Sequence, residues 1–300
     1  MSDLIQTSEL RNKLESTTPP LLIDVRLPED FKAAHIPGAI SNCVYEVVFE
    51  DRMQDIARDH TRVVVVYGQD LESYEARFAA EKLRRAGYTQ VYEYRDGLAG
   101  WQAAGGQVER SGTPLTEPQI ADGTHPIDLA QSRIEWTGRN LLNKHFGRVG
   151  LKSGQLEFGH SQLTGGRVVL DMGNIVCIDL NGTPQHDVLI SHLRSEDFFD
   201  VERFPEALLV IRSARRIDGA RPGQLNLEVI GDLTLKDVTA PFTFSAVSGV
   251  TRDGKAAAQA ALSFDRTRWN VLYGSARFFY RVGMHLVNDL IDLDIKIVTQ

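Results

Sequence analysis

The first part of the chain, residues 4–108, combines short apolar runs with a helical repeat. The runs Leu21–Val25 and Val63–Tyr67 are mostly apolar and rich in β-branched side chains, which is typical of strands buried on both faces of a parallel sheet. The segment Tyr74–Ala86 has apolar side chains at three- and four-residue spacing and predicts a helix, with Gly87 as its stop signal. Its apolar positions are Phe78, Ala79, Leu83 and Ala86. This part is therefore predicted to be an α/β domain.

The composition changes between residues 111 and 124. This stretch contains two prolines and two glycines and has almost no apolar content, which is typical of a linker. The predicted organisation is a first domain over residues 1–110, a linker over 111–124 and a second domain over 125–300.

Beyond the linker, apolar and polar positions alternate with a period of two. The alternating apolar positions are Ile134 and Trp136; Leu156 and Phe158; Phe242, Phe244 and Ala246; and Ile291, Leu293, Ile295 and Ile297. Such alternation predicts half-buried antiparallel strands, separated by turns such as Lys152–Gly154, in a β-sandwich or barrel. One interruption, residues 187–199, has a helical pattern, and Ser195 is predicted to be the N-cap of a short second turn.

The composition is that of a folded globular protein and limits its partners. The 300 residues include 42% hydrophobic residues, and 33 Lys and Arg stand against 40 Asp and Glu, a net charge of −7. This acidic balance argues against a nucleic-acid partner. Apolar runs as short as Ala207–Ile211 cannot cross a bilayer, and residues 1–6 do not resemble a secretory signal, so we expect a cytoplasmic protein that is not an integral membrane protein. The two cysteines, Cys43 and Cys177, provide neither a disulfide framework nor metal-site spacing.

Four segments of the first part resemble the rhodanese family in their order and spacing. They are Leu22–Arg26, His35–Ile40, the strand that ends at Tyr67, and Arg95–Trp101. The resemblance implies a sulfurtransferase fold, a parallel sheet with helices on both faces, in which a catalytic cysteine directly follows the strand that ends at Tyr67. Backbone N–H groups around such a thiolate lower its pKa and bind anions.

This chain has Gly68 at the position where the resemblance places the cysteine. The loop that follows has no cysteine and carries three acidic residues; it consists of Gln69, Asp70, Leu71, Glu72, Ser73, Tyr74 and Glu75. Cys43 lies outside the loop, and Ser73 has no base nearby because neither His35 nor His60 is at a catalytic position of the family. The first domain is therefore predicted to be an inactive rhodanese-like module, with no catalytic residue.

The second part resembles the YceI-like family, also called polyisoprenoid-binding proteins. The matching segments are Ser132–Gly138, His145–Gly147, Val169–Met172, His192–Val201, Phe204–Pro205, Ile230–Lys236, Asp265–Trp269 and Tyr273–Ser275. The resemblance implies a lipocalin-like antiparallel barrel of about eight strands around an apolar tunnel for an isoprenoid or fatty chain. A barrel of this size holds either its own side chains or one slender ligand.

The candidate ligand-binding residues are large aromatic side chains and polar groups near predicted strand ends. They are Trp136, His145, Phe146, Asp171, His192, Phe198, Phe199, Phe264 and Trp269. For the polar candidates, with Asp179, Ser195 and Asp197, three roles are open: structural hydrogen bonding, contact with a ligand head group, or metal binding. No pair has helical ligand spacing, so neither a metal nor a cofactor is predicted. Arg212, Arg215 and Arg216 are interpreted as a solvated edge, and Phe204, Phe278 and Phe279 as further aromatics near strand ends.

The favoured hypothesis is a non-catalytic carrier for a long-chain isoprenoid, quinone or fatty-acid-like ligand. Its rhodanese-like module would serve interaction or sensing and bind a protein partner, and a homodimer is one of the open oligomeric states. One alternative is a sulfurtransferase or phosphatase-type enzyme with a non-standard nucleophile. Another is a structural pair of domains with a filled barrel.

Overall fold

The chain forms two compact units, Met1–Glu117 and Pro118–Gln300. The computed structural model describes residues 3–113, 116, 118–221 and 223–300. Residues 114, 115 and 117 of the predicted linker lie outside the described residues. Each unit is described by itself.

The first unit is an α/β domain built on a parallel sheet. Its strands are β1 (Asp3–Leu4), β2 (Leu21–Asp24), β3 (Ile40–Ser41), β4 (Val64–Tyr67) and β5 (Val91–Tyr94), and its helices are α1 (Thr7–Leu14), α2 (Pro28–Ala33), α3 (Phe49–Ile56), α4 (Glu75–Arg85) and α5 (Gly97–Ala103). The strand order is β1-β5-β4-β2-β3, with every pairing parallel. All four residues of β2 and of β4 are buried, which confirms that these runs are central strands.

Helix α4 confirms the helical repeat of the first part. Its buried face consists of Ala76, Ala79, Ala80 and Leu83, whereas Phe78 lies at the surface beneath the ammonium group of Lys82. Gly87 follows the helix with φ of +95°, a left-handed conformation that glycine adopts without a side-chain clash.

The second unit is an antiparallel barrel. Its strands are β6 (Gly123–Pro126), β7 (Arg133–Arg139), β8 (Lys144–Gly159), β9 (Gln162–Cys177), β10 (Glu206–Arg216), β11 (Leu227–Leu235), β12 (Val238–Val250), β13 (Ala256–Asp265) and β14 (Leu290–Val298), with helix α6 (Pro184–Arg194) and 3-10 helices at Arg266–Trp269 and Gly283–His285. Strands β7 to β14 form a closed eight-stranded circuit, because β8 pairs with both β7 and β9, and β6 extends the free half of β8. The alternating segments of the sequence are β7, β8, β12 and β14, as predicted.

Strand β8 corrects one predicted turn. Lys152–Gly154 lies inside the strand, where the register against β9 shifts between Leu151 and Ser153. A β-bulge of this kind bends a strand without ending it. Polar and glycine residues in the sequence therefore indicated a turn at a position where the strand only bends.

Two predicted boundaries also change. Ser195 is the C-cap of α6, and the predicted short turn follows it, with the Phe198 N–H donating to the Ser195 carbonyl. The Ser195 hydroxyl does not cap this turn, because it donates to the carbonyl oxygen of His192. The end of the predicted linker belongs to the second unit: Ile120 is buried, its carbonyl accepts from the Ser161 hydroxyl, and β6 begins at Gly123. Ser111 is held at the first unit through a hydrogen bond to the carbonyl of Lys32.

The residues that the structure describes include no helix with both the length and the apolar character needed to cross a membrane.

Candidate functional site

An apolar cavity of about 230 Å³ lies inside the barrel. Inward-facing side chains of all eight strands from β7 to β14 line it, together with two leucines of α6. The apolar lining includes Ile134, Met172, Leu189, Leu193, Leu209, Leu233, Phe242, Leu293 and Ile295. The alternation along each strand explains this lining, because every second residue faces the barrel interior. On β10, for example, Leu209 lines the cavity whereas the next residue, Val210, is exposed.

The polar lining residues come mainly from one hairpin. Arg139, Asn140, Asn143 and His145 lie at the β7–β8 connection and belong to the lining. Arg266 is the other charged residue of the lining, but it is almost completely buried, and its guanidinium donates to the carbonyl oxygens of Val271, Val287 and Asn288. The cavity therefore has one polar end, at the β7–β8 hairpin.

Asp179 connects this hairpin to the end of β9. Its Oδ2 lies 2.9 Å from His145 Nδ1, and its Oδ1 accepts from the backbone N–H of Phe146 at 2.8 Å and from the Cys177 thiol at 3.2 Å. Burial alone would raise the pKa of Asp179, but these hydrogen bonds hold that pKa below its usual value. Burial, with the adjacent Asp179 carboxylate, raises the pKa of the Cys177 thiol. The carboxylate lies between the thiol and the imidazole, so this group is not a nucleophile–base pair.

Five of the nine predicted ligand-binding residues line the cavity: Trp136, His145, Phe198, Phe199 and Phe264. The indole Nε1 of Trp136 is buried and has no hydrogen-bond partner among the described residues. Phe198 and Phe199 follow α6, and Phe264 lies near the end of β13.

The other four predicted residues lie outside the lining. Trp269 is fully buried, packs against Phe264 and Phe242, and donates its indole N–H to the carbonyl of Leu233. His192 packs edge-on against Phe198 and Tyr273 and lies 3.4 Å from Asp197. Asp171 lies where β9 pairs with β10, and its carboxylate accepts from the N–H of Gly173. Phe146 is exposed. Strand alternation does not apply to His192 on α6 or to Trp269 in a 3-10 helix, and on the strands it does not separate cavity lining from filled core.

Two arginines of the predicted solvated edge form exposed ion pairs. Arg212 pairs with Asp232, and Arg215 pairs with Glu228 at 2.6 Å. Arg216 is likewise exposed. Phe278 and Phe279 are half-exposed and do not line the cavity.

In the first unit, side chains of the loop after β4 accept hydrogen bonds from backbone N–H groups of the same loop. The N–H of Gln69 donates to Glu75 Oε2 at 2.9 Å, and the N–H groups of Glu72 and Ser73 donate to Asp70 Oδ1. The N–H of Asp70 faces the Ser73 hydroxyl at 3.3 Å. The side chains of this loop thus occupy donors that would otherwise be available to an external anion.

The loop is also fixed to the sheet. Arg26 is buried, forms an ion pair with Asp24 at 2.6 Å, and donates to the side-chain oxygen of Gln69 at 2.9 Å. The N–H groups of Leu98 and Ala99 donate to the carbonyls of Gly68 and Gln69. The sequence predicted Glu75 as one of three acidic residues of this loop, but it did not indicate that Glu75 would accept a hydrogen bond from the Gln69 N–H.

The fold and the cavity define the second unit as a small antiparallel barrel with an apolar interior. The YceI-like domain model matches residues 126–299, more than half of the chain. The chain belongs to the YceI-like family. The rhodanese-like domain model matches residues 6–104, so the first unit is a rhodanese-like domain.

Individual relatives match only parts of the chain. An HTH-type transcriptional regulator of Mycobacterium tuberculosis is 34% identical over 113 residues, which are 38% of this chain and 47% of the regulator. The chain thus spans about half the length of that relative. A protein of Allochromatium vinosum named sulfurtransferase is 29% identical over 120 residues, which are 40% of this chain and 99% of that protein.

Among solved structures, one similar chain is a polyisoprenoid binding domain from Saccharophagus degradans. It is 11% identical, the match covers 60% of this chain and 99% of that chain, and the TM-score is 0.44.

Proposed function

We propose that the second unit binds and carries one long apolar chain of the isoprenoid, quinone or fatty-acid class. The single observation that supports this most is the cavity of about 230 Å³ with apolar walls and one polar end. Each methylene moved from water into such a cavity contributes about 0.8 kcal/mol. Membership of the YceI-like family supports the same conclusion.

The polar end gives the ligand a direction. The apolar walls provide no partners for a polar head group, whereas Asn140, Asn143 and His145 present amide and imidazole groups at the β7–β8 hairpin. A buried polar group without a hydrogen bond costs several kcal/mol. We therefore place the head group at this hairpin and the hydrocarbon tail along the walls.

For the first unit we propose a non-catalytic interaction or sensing module. The sequence has Gly68 directly after β4, where the family resemblance places the nucleophile. The hydrogen bonds from the loop to Glu75 and Asp70 support this role, because they occupy the backbone donors with carboxylates of the loop itself.

The carrier function is tested on freshly purified full-length protein. Native mass spectrometry, followed by solvent extraction, is expected to reveal one bound long-chain molecule per barrel. After delipidation, affinity for a series of saturated and polyprenyl chains is expected to rise with chain length until the cavity is full. Folded protein with no affinity for any member of the series would refute the proposal.

A sulfurtransferase activity is the second candidate, favoured by the match to the Allochromatium vinosum protein. The candidate nucleophile is then Cys43, the cysteine of the first unit, which is buried. Sulfur transfer from thiosulfate to cyanide that disappears in Cys43→Ser would establish this candidate and exclude a non-catalytic module.

A further inference from the structure

Three side chains with metal-binding atoms meet at the polar end of the barrel. They are His145 at the start of β8, Cys177 at the end of β9 and Asp179 in the turn that follows. One ligand atom from each lies within 4.8 Å of the other two. We propose that these three side chains form a binding site for one transition-metal ion of the Zn²⁺ class.

The strand pairing brings these three residues together. Gly147 pairs with Cys177 across the β8–β9 hairpin, and a Cβ on Gly147 would overlap the carbonyl of Val176. This close approach requires glycine. After Cys177 the chain turns back, so that the Ile178 N–H donates to the Phe146 carbonyl and Asp179 accepts from the Phe146 N–H. The backbone therefore fixes the three positions independently of any ion.

The donor set and its spacing suit a tetrahedral ion. Thiolate, imidazole and carboxylate are the ligand types that Zn²⁺ takes in proteins, and neighbouring donors around it lie about 3.3–3.6 Å apart. The hydrogen-bonded pairs here are 2.9 Å for His145–Asp179 and 3.2 Å for Cys177–Asp179. The third pair, His145 and Cys177, lies within 4.8 Å. Side-chain movements of about 1 Å would therefore bring all three donors to the spacing of a tetrahedral site. Binding would release the thiol proton, so affinity would rise with pH.

Three protein donors leave one coordination position for water or a ligand oxygen. His145 belongs to the cavity lining, so this position would be accessible from the polar end of the cavity. A ligand oxygen at the fourth position depends on the proposed carrier function, whereas the metal site itself does not. An assay with metal alone therefore tests the site whether or not the barrel binds a lipid.

The test uses untagged full-length protein, stripped with chelator and titrated with Co²⁺ and then Zn²⁺. We expect one Co²⁺ per chain, a thiolate-to-cobalt charge-transfer band, and displacement by Zn²⁺. Cys177→Ser is expected to abolish the band and weaken Zn²⁺ binding at least about a hundredfold. Cys43→Ser, which changes the other buried cysteine, is expected to leave both unchanged.

His145→Ala keeps the test decisive if Cys177→Ser does not fold, because the His145 side chain is partly exposed. This variant is expected to bind Zn²⁺ at least about tenfold more weakly while it retains the thiolate band. Absence of a stoichiometric Co²⁺ band in the natural protein would overturn the proposal. So would Zn²⁺ affinity that neither variant changes.

Discussion

The Glu75 carboxylate lies in the space that a side chain on Gly68 would occupy. A Cβ built on Gly68 would overlap Glu75 Oε2, and the same oxygen accepts from the Gln69 N–H at 2.9 Å. Glu75 Oε1 accepts from the Tyr45 hydroxyl at 3.0 Å. The position expected for a nucleophile is thus filled by a negative charge with two hydrogen-bond partners.

This contact predicts that Gly68→Cys alone will not restore sulfur transfer. The new thiol would lie beside the Glu75 carboxylate, which raises a thiol pKa and repels an anionic sulfur donor. We expect the natural protein and Gly68→Cys to show no transfer from thiosulfate to cyanide. In Gly68→Cys/Glu75→Gln, alkylation of the thiol by iodoacetamide at neutral pH should be about tenfold faster than in Gly68→Cys.

The matched control is Gly68→Cys/Glu81→Gln. Glu81 lies on the same helix, but it is exposed and pairs with Arg77. Its removal changes the net charge of the domain equally without changing the loop, so it should leave the alkylation rate near that of Gly68→Cys. Equal acceleration by both double variants would show that net charge, not the position of Glu75, controls the thiol.

A second prediction concerns the Tyr45 phenol. Partial burial, and after it the charge and hydrogen bond of Glu75, raise the pKa of Tyr45 to about 12. Ultraviolet titration of the natural protein minus Tyr45→Phe should isolate this phenol. Glu75→Gln should shift its titration toward the ordinary value of about 10, whereas Glu81→Gln should not. If Tyr45 in the natural protein titrated near its ordinary pKa, this result would contradict its hydrogen bond with Glu75.

The arrangement of the loop shows what a sequence can predict about such a site. The apolar run that ends at Tyr67 predicted strand β4, and the family resemblance placed Gly68 at the nucleophile position. The hydrogen bonds of Glu75 to Gln69 and Tyr45 join residues 6 and 30 positions apart. Contacts of this kind depend on tertiary packing, and no periodicity of the sequence indicates them.

The barrel gives a similar result. Alternation predicted its strands, and the resemblance implied its closure, but the meeting of His145 with Cys177 depends on the register of a long hairpin. The bulge near Lys152 shifts this register, and the sequence marked that position as a turn. The spacing of the two cysteines along the chain likewise gives no indication that Cys177 and His145 lie close together.

A third prediction tests the apolar walls with two adjacent residues of β10. Leu209→Asp would place an unpaired charge inside the cavity, at a cost of about 3 kcal/mol or more, and should weaken chain binding at least about a hundredfold. Val210→Asp would place the same charge outside, opposite Arg167 on β9 and Asp232 on β11, and should leave affinity unchanged. The measurement is a binding titration with one long-chain probe, with thermal melting of both variants as the folding control.

A second variant for the third prediction, Phe264→Asp, should be more disruptive than Leu209→Asp. Phe264 lines the cavity and also contacts Trp269 and Phe242, with ring centroids 5.6 and 6.2 Å apart. Loss of such a packed aromatic costs about 3–5 kcal/mol of folding free energy. We therefore expect Phe264→Asp to lower the melting temperature as well as the affinity. Loss of binding with unchanged melting would mean that Phe264 contacts the ligand without supporting the core.

A fourth prediction separates the two histidines. His145 lines the polar end of the cavity, whereas His192 packs outside the lining against Phe198 and Tyr273. His145→Ala should change the relative affinity for chains of equal length with hydroxyl, carboxyl and quinone head groups. His192→Ala should preserve the order of preference, even if it lowers stability. A change in preference caused only by His192→Ala would place the head group elsewhere.

The fifth prediction concerns acid stability. Hydrogen bonds hold the pKa of Asp179 below its usual value, so its carboxylate stabilises the fold above the unfolded-state pKa of about 3.9 and loses this contribution as pH falls through the lower folded-state pKa. At pH 7, in metal-free protein, Asp179→Asn should reduce the free energy of unfolding by about 2 kcal/mol. The difference should shrink below about pH 4. Asp187→Asn, which removes an exposed carboxylate on α6, should have little effect at either pH. Urea unfolding across this pH range measures the free energy of unfolding of both variants. If Asp179→Asn were destabilised equally at every pH, the shape of the Asp179 side chain, not its charge, would explain its role.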